Sequence, residues 1–571
     1  MRRFHPLALL FVIGFTAVVL GYYHDRFWWG PDDGAMAHVA ERILAGEVLN
    51  GDVQEIRPGY ASFANALALW LFGHDFLSLR YPLAVLSFVQ TCLIFLLLVS
   101  RGALVATAAA VSMTALSFVQ YLNPQPHWYC LFLFVVIVCG LAWIPRDARW
   151  RLELLGFLLI TLLLFRQLTG VLVAIGLLTY LLYEAGRGAN GMDRLLARGL
   201  LAVMAGGLAV YLIARSDPLA WLLFGIWPVA VLFWACLTVT ASNAEVIRMV
   251  RRLGVGGALA ALPLVLYQLL NGSYAGWFDD TVMTALALNQ LEFFGRLSYG
   301  LFLAQGLRQI IALDSIAGVL NGFFWASLPL LPMVSGFLVL RHLLRQGAED
   351  PALHPLAFLA PFYAIVSVHF QIAIYLFYSA GISLAVLLWM TSRGPGWRRP
   401  LPVALACVLS AIALYYHAAQ PVSRGLKGIL VGQRIDLVPG DGLPSTSLWV
   451  TARDLRLYTH LVGLIRHEVA PDETILAIPM NPELYFLSGR WSRFRFYSTA
   501  YGIRSDDDLR NVLETLARRP PKLIFHRPDD KYNTIYSAKL MEFVKQRYQV
   551  LETDGGFVVY RRPRTGLGLN G

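Results

Sequence analysis

Apolar runs of about twenty residues recur from Leu7 to Tyr416 of this 571-residue chain, and no other feature restricts its fold as strongly. A stretch of that length matches the hydrocarbon thickness of a bilayer, where a chain must satisfy its backbone hydrogen bonds internally. The chain therefore reads as a membrane all-α protein. Composition agrees: 57% of the residues are hydrophobic, 15% are charged and the mean hydropathy is +0.57, which excludes a soluble globular enzyme and a disordered chain. The net charge of +11 does not point to nucleic acid, because the basic residues are scattered between apolar runs and form no basic-aromatic stripe. Cys92, Cys130, Cys139, Cys236 and Cys407 all lie inside apolar segments without metal-ligand spacing and read as small core residues.

Single spans are expected at Leu7 to Tyr23, Pro82 to Ser100, Gly102 to Tyr121, Trp128 to Pro145, Gly199 to Ala214, Leu219 to Thr240, Leu253 to Leu270, Ala317 to Leu340 and Leu401 to Tyr416. The runs Leu152 to Glu184 and Pro355 to Met390 would each be about 50 Å long as one helix, against a core of about 30 Å. Each reads as a hairpin of two helices, broken at Arg166-Gln167 and at His369-Phe370-Gln371. The total is about 13 transmembrane helices. Leu7 to Tyr23 has no small-x-small cleavage site and is taken as a retained span.

Alternate loops, counted from the N-terminus, hold seventeen arginines in about 63 residues, among them Arg2, Arg3, Arg187, Arg393, Arg398 and Arg399; the opposite loops hold eight in about 119. By the positive-inside rule the N-terminus is cytoplasmic, and the long loops and the C-terminus are external. Three external segments are large: 24–80, Asn271 to Ile316, and the tail from His417. The division expected is a membrane domain over 1–416, with 24–80 as its catalytic loop, and a C-terminal α/β domain over 417–571. All five lysines (Lys427, Lys522, Lys531, Lys539, Lys545) lie in the tail. Strand-like and helix-like pieces alternate there: Glu473 to Met480, Asp506 to Arg519, Lys522 to Arg527, Ser537 to Tyr548 and Gly556 to Arg561. The tail shows no nucleophile, phosphate loop or metal cluster, and reads as a cap or an acceptor-docking module.

The chemistry concentrates in Pro31-Asp32-Asp33-Gly34, which opens a short amphipathic helix directly after the first span. One carboxylate at such a place is commonly an N-cap. Two adjacent carboxylates allow one to cap while its neighbour accepts a proton, and mutual repulsion would raise one pKa. Downstream come Leu44-Ala45-Gly46, Glu55-Ile56-Arg57-Pro58, Leu71-Phe72-Gly73 and Arg80.

In this order and spacing the first loop resembles that of the GT-C superfamily of polytopic glycosyltransferases, particularly the protein O-mannosyltransferase and aminoarabinose-transferase branch. Met36 stands where many relatives have Tyr, and Pro58-Gly59 replaces a Pro-Pro pair. The resemblance implies a GT-C-type bundle with an extracytoplasmic α/β domain in a bacterial inner membrane. It also implies an inverting transfer from a polyprenyl-phosphate-linked sugar donor to a lipid, glycan or protein acceptor. A phosphate leaving group needs no proton, so one carboxylate suffices as base, with cations to neutralise the phosphate. Asp32 matches the family's base, while Asp33 or Glu55 orients the acceptor or supports it. For the phosphate, Arg166 leads, since an arginine between two apolar arms is costly unless it faces a polar site; Arg57 and Arg80 are the alternatives. His369 and Gln371 at the second hairpin tip are weaker binding candidates. Tyr274, Trp277, Phe278, Asp279 and Asp280 read as an interfacial aromatic belt or as a loop over the lipid donor. No cofactor and no metal site are implied, although Asp32, Asp33 and Asp279 are conceivable ligands for a divalent cation. A transporter would show inverted repeats and ionisable midplane residues, which are not found. A noncatalytic polyprenyl-lipid-binding or assembly protein stays the alternative.

Overall fold

The computed structural model describes residues 5–185, 192–288, 298–346, 354–392, 400–419 and 436–563. Arg2, Arg3, Arg187, Arg393, Arg398, Arg399 and Lys427 lie outside the described residues. Among those described, ten helices are long and apolar enough to cross a membrane, or eleven if the pair Ile316–Ser327 and Leu330–Arg345, bent by 44°, is one span. The difference from about 13 lies in the hairpins, whose first arms are too short. Helix α7 (Arg151–Phe165) has 15 residues, about 22 Å, and Pro355–Val368 is shorter still.

The bundle begins with α1 (Pro6–Tyr23), and three helices of the first loop region follow: α2 (Gly30–Leu44), α3 (Tyr60–Phe72) and the start of α4 (Arg80–Leu98). The apolar α3 leaves Leu67, Trp70, Leu71 and Phe72 exposed, as a helix lying in the membrane interface would. Next come α5 (Ala103–Ala115), α6 (Pro126–Trp143), α7 and α8 (Gln167–Glu184). Only Arg166 separates α7 from α8; its extended backbone (φ −157°, ψ 113°) breaks the helix and turns its side chain into the bundle, 8% exposed. Helix α7 crosses the 28-residue helix Asn243–Leu270 at glycines: a β-carbon on Gly256 would lie 1.8 Å from the Glu153 carbonyl oxygen, and one on Gly156 2.1 Å from that of Leu253. Small residues let membrane helices approach where no hydrophobic effect drives them together. In the second hairpin, the break at residues 369–372 precedes Ala373–Thr391, which is buried from Ala373 to Trp389 and forms the centre of the bundle.

The C-terminal unit holds a small antiparallel pair, β1 (Leu437–Pro439) with β2 (Trp449–Thr451), and a four-stranded sheet. The sheet comprises β3 (Ile475–Ile478), β4 (Leu523–His526), β5 (Gln549–Asp554) and β6 (Phe557–Arg561) in the order β3-β4-β6-β5. Strands β3 and β4 are parallel and wholly buried, while β6 pairs antiparallel with β4 and β5 closes the sheet as an antiparallel edge. The helices Ala452–Glu468, Asp506–Arg518 and Ile535–Arg547 cover the sheet with apolar stripes. This unit is sewn to the first loop. Phe27 N–H donates to the Trp449 carbonyl (2.7 Å), Trp449 N–H donates to that of Asp25 (2.8 Å), and α2 lies so close to Glu483–Ser488 that a β-carbon on Gly34 would sit 2.3 Å from the Glu483 nitrogen. The loops 24–80 and 271–284 and the C-terminal unit therefore meet at one end of the bundle.

Candidate active site

Trp29, not either aspartate, is the N-cap of α2, and Pro31 sits in its first turn, where no N–H is needed. Asp33, one turn in, reaches back to accept the Trp29 N–H (2.9 Å), so it satisfies the cap from inside the helix. Its Oδ2 also meets Arg80 Nη2 at 3.4 Å, and both side chains are 1–2% exposed. Arg80 spends its other Nη donors on the carbonyls of His24 (3.2 Å), Arg26 (3.2 Å) and Phe27 (2.6 Å). Those contacts hold the turn in which Phe27 takes a left-handed φ of 56°, an uncommon conformation for a bulky residue. Asp33 and Arg80 thus form one buried joint behind α2.

Asp32 points the other way and stays partly open. Asn123 Nδ2 donates to its Oδ2 at 3.1 Å, and the Tyr121 hydroxyl lies 3.5 Å from the same oxygen. Burial pushes the Asp32 carboxyl above its usual value, opposed by the charges of Lys531 and Arg57 and by the Asn123 and Tyr121 contacts. Burial likewise raises Asp33, to about 6, against the pull of Arg80 and the Trp29 N–H; repulsion from Asp32 is a smaller contribution. Desolvation, more than the mutual repulsion expected from two adjacent acids, shapes this pair.

Arg57, half-buried, extends over the same space. Its Nη1 and backbone N–H both donate to Glu55 Oε1 (3.1 and 2.9 Å), and its Nη2 donates to Gln125 Oε1 (2.9 Å). Glu55 is fully buried and takes Ser62 on its other oxygen (3.2 Å), so it serves as the counter-charge that fixes Arg57. Deeper in the bundle, Arg166 donates to Thr169 Oγ1 (2.9 Å) and Tyr375 OH (3.3 Å), with its guanidinium carbon 5.7 Å from the Tyr375 ring centroid. His127 bridges the two arginines: it stacks on Tyr378 (4.1 Å), meets Tyr375 edge-on (5.1 Å) and lies in the fields of both Arg166 and Arg57. Among the described residues neither buried His127 ring nitrogen has a hydrogen-bond partner. A continuous polar band therefore runs from Asp32 through Arg57, Gln125 and His127 to Arg166.

Among the other expected site residues, His369 lies within the field of Arg166. Gln371 is engaged elsewhere: it accepts the Tyr299 N–H (3.0 Å) and donates to Asp217 (2.9 Å), tying the second hairpin to the chain near 217 and 299. Of the aromatic loop, Trp277 Nε1 donates to the Pro58 carbonyl (2.7 Å). Asp280 is buried under Asn50 (2.8 Å), Gln54 (3.0 Å) and Arg495 (2.7 Å), and Asp279 pairs with Arg504. Residues 274–284 thus tether the C-terminal unit. Among the described residues no three His, Cys, Asp or Glu side chains gather as metal ligands.

Two groups escaped the sequence reading. Asn123-Pro124-Gln125-Pro126-His127 looked like a mere break between two spans, yet it supplies three side chains of the polar band; its density of hydrogen-bonding groups next to prolines was the available signal. The other is Lys531 with Tyr532, which the C-terminal unit brings to the cap of α2, with Lys531 Nζ 5.8 Å from the Trp29 ring centroid. Five lysines in 571 residues made each of them notable, but nothing in the sequence said which would fold over the first loop.

No family model and no curated protein matches the chain. Among solved structures it is similar to crystal structures of ArnT from Cupriavidus metallidurans. The form bound to undecaprenyl phosphate aligns over 98% of this chain and 99% of that one, with TM-score 0.42 and 13% identity. The apo form aligns over 97% and 98%, with TM-score 0.41 and 14% identity. The likeness spans the bundle and the C-terminal unit together; the roles of individual side chains rest on the geometry of this chain.

Proposed function

We propose that the protein is a membrane glycosyltransferase that moves a sugar from a polyprenyl-phosphate donor to a lipid, glycan or protein acceptor at the external face of a bacterial inner membrane. The observation that carries this reading is the division of labour in the polar band. An accessible carboxylate, Asp32, stands at one end, and arginines that are fixed but not neutralised by it, Arg57 and Arg166, lie along the rest. Transfer with inversion needs only that. Asp32 takes the proton of the acceptor hydroxyl as its oxygen attacks the anomeric carbon, and the bond from that carbon to the phosphate oxygen breaks. The phosphate then leaves with the electron pair, its charge met by guanidinium groups that need not reorganise. Arg166 suits the phosphate because its donors are held by Thr169 and Tyr375 and, among the described residues, by no acidic partner, and Arg57 suits the region between phosphate and base. The arginine distribution in the loops supports the external face.

The test uses the purified full chain in liposomes with a polyprenyl-phosphate sugar, following release of polyprenyl phosphate and donor binding separately. Asp32→Asn is expected to keep donor affinity and to lose turnover by about 10²- to 10⁴-fold. Full turnover in that variant would leave a lipid-binding protein. Labelling of a cysteine near Pro31, and not of one at Arg251, by an impermeant thiol reagent in spheroplasts checks the face.

A further inference from the structure

Between α5 and α6 the chain runs Asn123-Pro124-Gln125-Pro126-His127, and its prolines keep it out of helix until the first turn of α6. Every second side chain then serves the polar band. Asn123 Nδ2 donates to Asp32 Oδ2 (3.1 Å), and Gln125 Oε1 accepts from Arg57 Nη2 (2.9 Å). His127, 7% exposed, sets its ring edge-on to Tyr375 (5.1 Å between centroids), whose hydroxyl accepts from Arg166 Nη2 (3.3 Å). Tyr378 stacks on the imidazole with centroids 4.1 Å apart and planes 6° apart, which fixes the plane of the ring. The edge of that ring is unserved: among the described residues neither Nδ1 nor Nε2 has a hydrogen-bond partner, and neither does Asn123 Oδ1. Buried polar groups are nearly always paired, so two orphaned nitrogens on one locked ring call for a partner from outside the chain.

We infer that His127 is a specificity-determining residue for the transferred sugar, whose hydroxyl groups pair with its two ring nitrogens, and that the sugar it selects carries no positive charge. The inference rests on the reading above, in which the base is Asp32 and the phosphate meets Arg166. In-line attack places the acceptor oxygen and the leaving phosphate on opposite sides of the anomeric carbon. The sugar ring therefore lies between those two residues, along the stretch of the band that holds His127. The chemistry of the imidazole fits a sugar better than a phosphate. In its neutral form it has one N–H donor and one acceptor nitrogen, and a hydroxyl group can answer either. A phosphodiester offers acceptors alone and would leave one nitrogen orphaned. The charged groups that act on the ring, Arg166, Arg57 and His369, are all basic, so a protonated amino group on the sugar would meet repulsion there.

The experiment measures lipid binding to the purified full chain in detergent, without any turnover. The probes are decaprenyl phosphate, its glucose, mannose and galactose phosphodiesters, and its glucosamine phosphodiester. His127→Phe keeps the stack on Tyr378 and removes both nitrogens. It is expected to weaken the tightest of the three neutral-sugar lipids about tenfold while changing decaprenyl phosphate less than about twofold. His127→Gln, which restores a donor and an acceptor, should recover most of that loss. The wild type should bind the glucosamine lipid more weakly than the glucose lipid, and the opposite order overturns the exclusion of a cationic sugar. Equal weakening of bare and sugar-bearing lipids by His127→Phe overturns the sugar contact, and so does an unchanged affinity for both, which means that water alone pairs the ring. A chain that binds none of these lipids fails the proposed function as well, whereas binding that ignores His127 fails this inference alone.

Discussion

Asp32 and Asp33 are neighbours in sequence, yet they belong to two different regions of the molecule. Behind α2 lies a packed joint, in which Asp33, Arg80 and the Phe27 turn exclude water and every donor of the arginine but Nε has a named acceptor. In front lies a polar region where Asp32 engages Asn123 and Tyr121 through Oδ2 alone and, among the described residues, its Oδ1 meets no side-chain donor. The contrast teaches that a charge serves structure when its partners saturate it and chemistry when they leave it a vacancy for substrate.

The sharpest way to break the comparison is to exchange each carboxylate for its amide. Asp32→Asn should lower turnover by about 10²- to 10⁴-fold, up to roughly 5 kcal/mol of barrier, with thermal stability close to wild type. Asp33→Asn should do the reverse. Removing one partner of a buried ion pair costs about 3–5 kcal/mol, so a lowered unfolding midpoint in detergent is expected, with turnover per folded molecule largely kept. Equal losses of turnover in both variants would erase the distinction.

A second comparison of the same kind is offered by Glu483, buried where the C-terminal unit meets α2. Tyr458 OH donates to its Oε1 at 2.8 Å, its Oε2 has no partner among the described residues, and burial raises it to about 7. A raised carboxyl binds its proton more tightly folded than unfolded, so the stability this burial allows is fully present below the unfolded value near 4.5 and is lost as pH rises through about 7, because desolvating the ionised carboxylate outweighs the Tyr458 hydrogen bond that favours it. The difference amounts to roughly 3 kcal/mol. Thermal midpoints measured across that window should fall with pH in the wild type and fall much less in Glu483→Gln.

The smallest effect is expected at the far end of the polar band. Tyr375→Phe removes the hydroxyl that accepts from Arg166 but keeps the ring under the guanidinium and the Thr169 contact. A loss of about 1 kcal/mol, roughly fivefold in donor use, should appear in kcat/KM. Arg166→Ala should lose several kcal/mol if that guanidinium meets the phosphate.

Much of the architecture is legible in the sequence because hydropathy and length act locally. All the apolar runs coincide with helices, and the break at Arg166 was visible from the excess length of its run. The two short arms were harder, since composition reports that a segment is apolar and not that it reaches both surfaces. The strands at Ile475–Ile478 and Leu523–His526 were likewise readable from breakers and β-branched residues, whereas Glu483–Ser488, a six-residue helix, carries too little periodicity to be seen.

The sequence by itself determined that this chain is a polytopic helical protein whose acids gather outside the apolar runs, because the partition of side chains between water and hydrocarbon is a property of each segment alone. Only the tertiary structure decided that Asp33 turns inward to Arg80, that Asn123, Gln125 and His127 join Arg57 and Arg166, and that Lys531, some five hundred residues away in sequence, stands beside Trp29 at the cap of the helix that bears Asp32. Such neighbours are set by how helices cross and how one unit docks on another, and the energies that fix them are pairwise terms between segments that leave no local trace in the sequence.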